Sequence, residues 1–310
     1  MSQDFKSSHA AMATEFTLTI RHQDEAYARG AAQAVWDEID RIEALLSRFR
    51  EGSDIYCINH SDAGATLPLR EETDLCLRLA MRVMQATQGV FDIGVGGLSE
   101  ALEKSGAQFS AAMEDALQKK SRGSLVLHED SSHITVLEPG LKLDLGAIGK
   151  GFAVDWAQSL MADYEIDNYL LNSGGSSVWA NAPEGETWTV RLAGDSRSFL
   201  FRGRQCAVSA SGTNLKGAHI VDPQKGIPSA YPHKRSWAIC QSGALADAMA
   251  TACLLMPIPN IEHALSVLGE KAGVVLEPAD PTKPWSFISY PAGVFVQEKT
   301  GDPQSPWILR

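Results

Sequence analysis

From residue 124 onward the chain breaks into short apolar runs, and this limits its fold more than any other feature. The runs fall at 124–128, 132–137, 141–144, 168–172, 187–192, 206–209, 236–240, 272–276 and 286–290. Each has strand length, and many are joined by short turns. Only three helical patterns interrupt them, at about 150–162, 243–255 and 261–268. Strands therefore outnumber helices, and the pattern predicts an α+β chain with a largely antiparallel sheet and flanking helices, not a doubly wound βαβ array. Upstream, residues 13–20 alternate polar and apolar as a half-buried strand does. A helix is predicted from Asp24 to Phe49, with Val35, Ile39, Ile42, Leu46 and Phe49 as a core-facing stripe. A second helix spans Glu72 to Thr87, with Leu75, Leu79 and Val83 on one face and Gly89 ending it. Residues 99–123 are helix-like and charged. No repeat, low-complexity tract or linker divides the sequence, so residues 1–310 are expected to form one unit.

Charge and composition narrow the function. The 310 residues carry a net charge of −11, which argues against nucleic acid as the main partner but leaves room for a local anion site. Cys57, Cys76, Cys206, Cys240 and Cys253 form no CxxC pair, so a zinc cluster or redox dithiol is not expected. Cys57, Cys76, Cys240 and Cys253 have apolar neighbours and read as reduced, buried thiols. The first residues contain no apolar signal region or lipidation cysteine, and no stretch approaches the ~20 apolar residues of a membrane span. A cytoplasmic protein is the expectation.

Four segments carry chemistry. In Leu143–Asp155 a strand is predicted to end at Asp144, a glycine-rich turn follows, and a helix opens near Lys150. Backbone N–H groups, a helix N-terminus and a lysine suit a phosphate; a tight turn with an exposed lysine is the equal alternative. Asn172–Ser177 contains two adjacent glycines after an apolar strand and reads as a hairpin turn. His219 precedes Ile220-Val221-Asp222-Pro223. It suits a general base or a phosphate ligand, although a lone histidine more often serves structure. On the helix at 243–255, Asp247 and Thr251 stand at i and i+4, placing both oxygens on one face of an apolar segment. A Mg²⁺ ion would offset the burial of that carboxylate; helix capping and a back-bonded threonine would explain the pair as well.

Taken together and in order, these segments resemble the ApbE family of flavin transferases (FAD:protein FMN transferases). The resemblance also includes Met12-Ala13-Thr14, Leu46 to Asp54, Asn59 and Thr87 to Asp92, and covers nearly the whole chain. It implies an ApbE-like α+β fold with FAD in a cleft between its lobes. It implies that Met12, Phe49, Val90, Phe91, Asp92, Asp144, Lys150 and Val221 contact FAD. The Ala147 carbonyl with the Asp247 and Thr251 side chains would hold Mg²⁺, and His219 would be the candidate base. The activity implied is transfer of the FMN moiety of FAD to a Thr or Ser hydroxyl of a client flavoprotein, releasing AMP. A Mg²⁺-dependent FAD pyrophosphatase and a non-catalytic FAD-binding protein are the alternatives. The chain departs from the family pattern at Ala13, Ile93, Ser176, Lys225 and Ala250, positions that bear on transfer efficiency, client choice and metal number.

Overall fold

The computed structural model describes residues 3–105, 111–118, 123–195, 197–212, 220–226, 231–298 and 305–309. The chain opens with a hairpin of β1 (Gln3–Ala11) and β2 (Thr14–His22). Phe16, Leu18 and Ile20 of β2 point into the core, as the alternation predicts. The β1 segment carries almost no apolar periodicity, and its pairing comes from β2 and the helix it faces.

That helix, α1 (Glu25–Leu46), starts where the Asp24 carboxylate accepts the Tyr27 N–H at 3.0 Å. It ends at Leu46, three residues before the predicted end. Phe49 therefore leaves the core stripe and stands 75% exposed. Next come α2 (Asp54–Asn59), β3 (Thr66–Pro68) and α3 (Glu71–Ala86). The buried residues of α3 are Thr73, Asp74, Cys76, Leu77, Ala80, Val83, Met84 and Ala86; of the expected stripe Val83 is among them, while Leu75 is 45% exposed. Both stripes have helical spacing and share Val83, and packing against α1 and the helices that follow selects the one that carries Cys76, Leu77 and Ala80. Gly89, with a left-handed φ of 81°, turns the chain after the helix.

A 3₁₀ turn (Ile93–Val95) leads into α4 (Gly96–Ser105), α5 (Ala111–Gln118), β4 (Leu125–Leu127) and β5 (His133–Val136). The predicted strand at 141–144 does not form. Its backbone is bonded by non-strand partners instead: the Asn59 amide exchanges hydrogen bonds with Leu143 N–H and C=O at 2.7 and 2.9 Å. Gly96 N–H donates to the Lys142 carbonyl, and Asp144 N–H to that of Ile93. With its polar groups met this way the segment needs no strand neighbour.

The rest is α6 (Gly149–Asp163), β6 (Tyr169–Ser173), β7 (Ser177–Asn181), β8 (Trp188–Ala193), β9 (Ser198–Gly203), β10 (Cys206–Gly212), β11 (His233–Cys240), α7 (Gly243–Leu255), α8 (Ile258–Leu268), β12 (Ala272–Pro278), β13 (Ser286–Tyr290), β14 (Phe295–Gln297) and β15 (Trp307–Leu309). The main sheet has eight strands in the order β1-β2-β6-β7-β10-β11-β12-β13, all paired antiparallel. The fold class is thus α+β with a large antiparallel sheet. A four-stranded sheet, β14-β15-β9-β8, covers part of one face.

Alternation along the strands builds two cores. On β11, Ala238 and Cys240 face the helical side, while Trp237 and Ile239 join Phe201 and Phe295 beneath the smaller sheet. The helical side holds α7, whose residues are buried except Thr251 and Leu255. All five cysteines are free. Cys206 is buried with Cys76, Cys240 and Cys253, but Cys57 is exposed, because it sits on the outward face of the short α2. No helix among the described residues is long and apolar enough to cross a membrane.

Candidate active site

The N-termini of α6 and α7 meet with no side chain between them. A Cβ placed on Gly151 would lie 2.0 Å from the Gly243 carbonyl oxygen, and one on Gly243 would lie 2.5 Å from that of Gly151. Only glycine at both positions permits this approach. One consequence is that side chains from each helix reach the first turn of the other.

Asp247 lies on α7 and is 4% exposed. It is the only charged residue in that helix. Its Oδ2 accepts the Gly151 N–H of α6 at 3.1 Å. The N-cap residue of α6, Ile148, contributes no side-chain acceptor, so Asp247 takes the capping role from another element. In the opposite direction, the Asp155 carboxylate of α6 accepts the Ser242 hydroxyl and the Gly243 and Ala244 N–H groups at 2.8, 2.5 and 3.0 Å. Burial raises the Asp155 pKa against the lowering effect of these donors. Cys76 lies close enough to sense both carboxylates. Burial and then the Asp155 and Asp247 charges push its thiol well above the ordinary range.

The glycine-rich turn before α6 closes the other side. Asp144 Oδ1 accepts Gly146 N–H at 2.8 Å. Lys150 folds back to donate to the Gly146 carbonyl at 3.1 Å, and its Nζ stands 3.9 Å from Asp247 Oδ2. Because Gly151 N–H is committed to Asp247, it does not close a helical bond onto the Ala147 carbonyl. Among the described residues that carbonyl, Asp247 Oδ1 and the Thr251 hydroxyl accept or make no hydrogen bond. A carbonyl, a carboxylate oxygen and, one helical turn further along α7, a hydroxyl are left open, and all three are hard oxygen donors. Mg²⁺ is commonly held by one or two carboxylates, with waters and phosphates completing its shell.

Arg48 connects this turn to the exposed ring of Phe49. Its Nε lies 3.2 Å from Asp144 Oδ2, its Nη1 lies 3.2 Å from Glu100 Oε1, and its guanidinium stacks 4.0 Å from the Phe49 ring centroid. The Val90–Asp92 turn adjoins through Ile93, whose carbonyl accepts Asp144 N–H. Thr87 Oγ1 accepts Phe91 N–H at 3.1 Å, and buried Asp92 accepts Gly94 N–H at 2.7 Å.

The structure thus gathers Phe49, Asp144, Ala147, Lys150 and Asp247, with Thr251 one turn beyond and Val90, Phe91 and Asp92 alongside. Met12 stands apart on the β1–β2 turn, where it and Ala13 both have positive φ, 49° and 56°. That turn adjoins the β6–β7 hairpin, where Thr14 Oγ1 occupies the space that a side chain on Gly174 would need. Val221 packs with Leu98, Leu102 and Met113. Its loop reaches the 87–92 turn through Gln224 Nε2, which donates to the Gln88 carbonyl at 3.3 Å. His219 lies outside the described residues. Sequence alone gave no role to Asp155, Arg48 or the Gly151–Gly243 pair. The visible signal for the pair was a glycine in the first turn of each of two apolar helices.

A family model for the ApbE family matches residues 12–274. The FAD:protein FMN transferase of Klebsiella pneumoniae is 24% identical over 296 residues, covering 88% of this chain and 85% of its own. That of Chlamydia trachomatis is 29% identical over 248 residues, covering 74% and 78%. Among solved structures, the flavin transferase ApbE from Vibrio cholerae superposes with a TM-score of 0.79 at 17% identity, covering 93% of this chain and 97% of that one. The ApbE protein from Thermotoga maritima superposes with a TM-score of 0.75 at 24% identity, covering 88% and 94%.

Proposed function

Because the chain belongs to the ApbE family, we propose that it transfers the FMN moiety of FAD to a Thr or Ser hydroxyl of a client flavoprotein, with Mg²⁺, releasing AMP. The observation that carries this reading is the open oxygen set beside the N-terminus of α6. The Ala147 carbonyl, Asp247 Oδ1 and the Thr251 hydroxyl are left unbonded by the described residues next to a lysine and a helix start. A capping carboxylate alone has no need of the other two oxygens.

These residues would hold Mg²⁺, which when bound neutralises phosphate charge and stabilises a leaving phosphate. The Lys150 ammonium and the positive end of α6 would grip the pyrophosphate, the Gly149 and Gly151 N–H groups being already bonded to the Leu145 carbonyl and to Asp247. Phe49, exposed and backed by Arg48, offers a flat apolar face to a flavin or adenine ring. Asp144, Val90, Phe91, Asp92, Met12 and Val221 would complete the FAD contacts. In the reaction the client hydroxyl oxygen bonds to the FMN-side phosphorus, the P–O bond to AMP breaks, and the hydroxyl proton leaves to a base, for which His219 is the candidate.

The test is incubation with FAD and Mg²⁺, with and without a client peptide bearing the acceptor Thr or Ser. AMP release that requires the client supports the transferase. AMP and free FMN without client mean that water is the acceptor and the protein is a pyrophosphatase. Neither product means a binding protein.

A further inference from the structure

We propose that Asp155 is a positioning residue for Asp247, and that its hold on the first turn of α7 sets the affinity of the Asp247–Thr251 site for Mg²⁺. This rests on the reading of Asp247 and Thr251 as magnesium ligands.

A helix N-terminus carries roughly half a positive charge, and α6 and α7 bring two of them into backbone contact at Gly151 and Gly243. Like partial charges at that distance repel each other. Two carboxylates offset the repulsion, each on one helix and bonded to the other: Asp247 to Gly151 N–H, Asp155 to Ser242, Gly243 and Ala244. The two are unequal. Asp155 uses both oxygens on three donors, whereas Asp247 uses Oδ2 for a single N–H and keeps Oδ1 open.

That inequality assigns the roles. Asp155 meets the N–H groups of the first two residues of α7 and the hydroxyl of its cap, Ser242, which in turn accepts Leu245 N–H at 3.2 Å. The first turn of α7 is therefore fixed in rotation and along its axis. Asp247 lies four residues after Gly243, so the aim of its Oδ1 follows the first turn. Without the Asp155 charge, Asp247 is left as the carboxylate bonded where the two helix N-termini touch. Its free oxygen is then drawn to the vacant N–H groups of α7 and away from the cation. Asparagine is the informative replacement because it has a similar shape. Its carbonyl oxygen can accept, but its NH₂ would face a donor and carry no charge.

The test uses the full chain with FAD and reads flavin fluorescence as Mg²⁺ is titrated, below the melting temperature of every variant. Asp155→Asn is expected to raise the half-saturating Mg²⁺ concentration by about 10–100-fold, the usual cost of losing a residue that orients a metal ligand. FAD binding without Mg²⁺ should be unchanged. Ser242→Ala, which removes one of the three donors, should shift the midpoint in the same direction but less. Val154→Ala, a buried truncation on the same helix, should lower the melting temperature and leave the Mg²⁺ midpoint in place. An unchanged midpoint in Asp155→Asn, with the response lost in Asp247→Ala, overturns the positioning role alone. A full response in Asp247→Ala overturns the ligand reading and this inference with it.

Discussion

Replacing Gly151 by alanine adds one methyl group at the closest point of the α6–α7 crossing. The new Cβ would meet the Gly243 carbonyl oxygen at 2.0 Å, its carbon at 2.4 Å and Ala244 N at 2.8 Å. All three are backbone atoms, so no side chain can rotate to make room. Real Cβ contacts essentially never fall below 3.0 Å, so the helices must part by about 1 Å. Overpacking of this kind costs typically ~1–3 kcal/mol, and a rigid backbone neighbour puts Gly151→Ala at the upper end. Helix propensity acts the other way by about 1 kcal/mol, since alanine is favoured over glycine inside a helix. The net expectation is a loss of roughly 2 kcal/mol. At roughly 2–4 °C per kcal/mol for a large domain, that lowers the melting temperature by several degrees. Gly30 supplies the opposite case, because it is exposed on α1 and a Cβ added there would meet nothing within 4 Å. Gly30→Ala should raise stability by about 0.5–1 kcal/mol. Differential scanning calorimetry of both variants separates clash from propensity. Since parting the helices also pulls Asp247 from Gly151 N–H, Mg²⁺-dependent turnover should fall with stability in Gly151→Ala. A Gly151→Ala protein as stable as the wild type would refute the reasoning.

Asp247→Ala should abolish Mg²⁺-dependent AMP release and lower stability by about 1 kcal/mol, as expected for a lost helix cap; full activity in that variant would remove Asp247 from the metal site. If His219 is the base, His219→Ala should lower the transfer rate at saturating FAD about 10²–10⁴-fold with little change in FAD affinity. Lys150→Ala should instead weaken FAD binding, and a wild-type rate in His219→Ala would exclude His219 from the chemistry. His233 is buried, with Nε2 donating to the Met256 carbonyl at 2.9 Å and Nδ1 unpartnered. Burial lowers its pKa below the ordinary 6.5, against the raising effect of that bond. The unfolded chain then binds more protons than the folded one, so stability should fall as pH drops through about 6.5 and level off below the folded-state value. Melting temperatures between pH 7.5 and 5 should show a shallower slope in His233→Gln; an identical slope would show that this histidine is not the group responsible.

Local pattern determined much of this protein. Period-two alternation located β2, and an apolar run interrupted by Asp247 and Thr251 bounded α7 at Gly243–Leu255. The i, i+4 spacing of Asp247 and Thr251 put both oxygens on one helical face, because such relations depend only on neighbouring φ and ψ. The chain order of the motifs was enough to suggest the family. Tertiary structure alone decided which of two helical stripes on α3 is buried, that α1 stops short of Phe49, and that 141–144 is clamped by Asn59 and not by a strand. It alone turned Asp247 from a residue near one helix start into the cap of another, through a bond spanning 96 positions, and tied Asp155 to Gly243 across 88. Those links are carboxylates meeting backbone N–H groups that almost any residue could supply, so nothing in the pattern of side chains announces them. They arise because two glycines let two helix starts touch, and the charges gathered there follow from that contact.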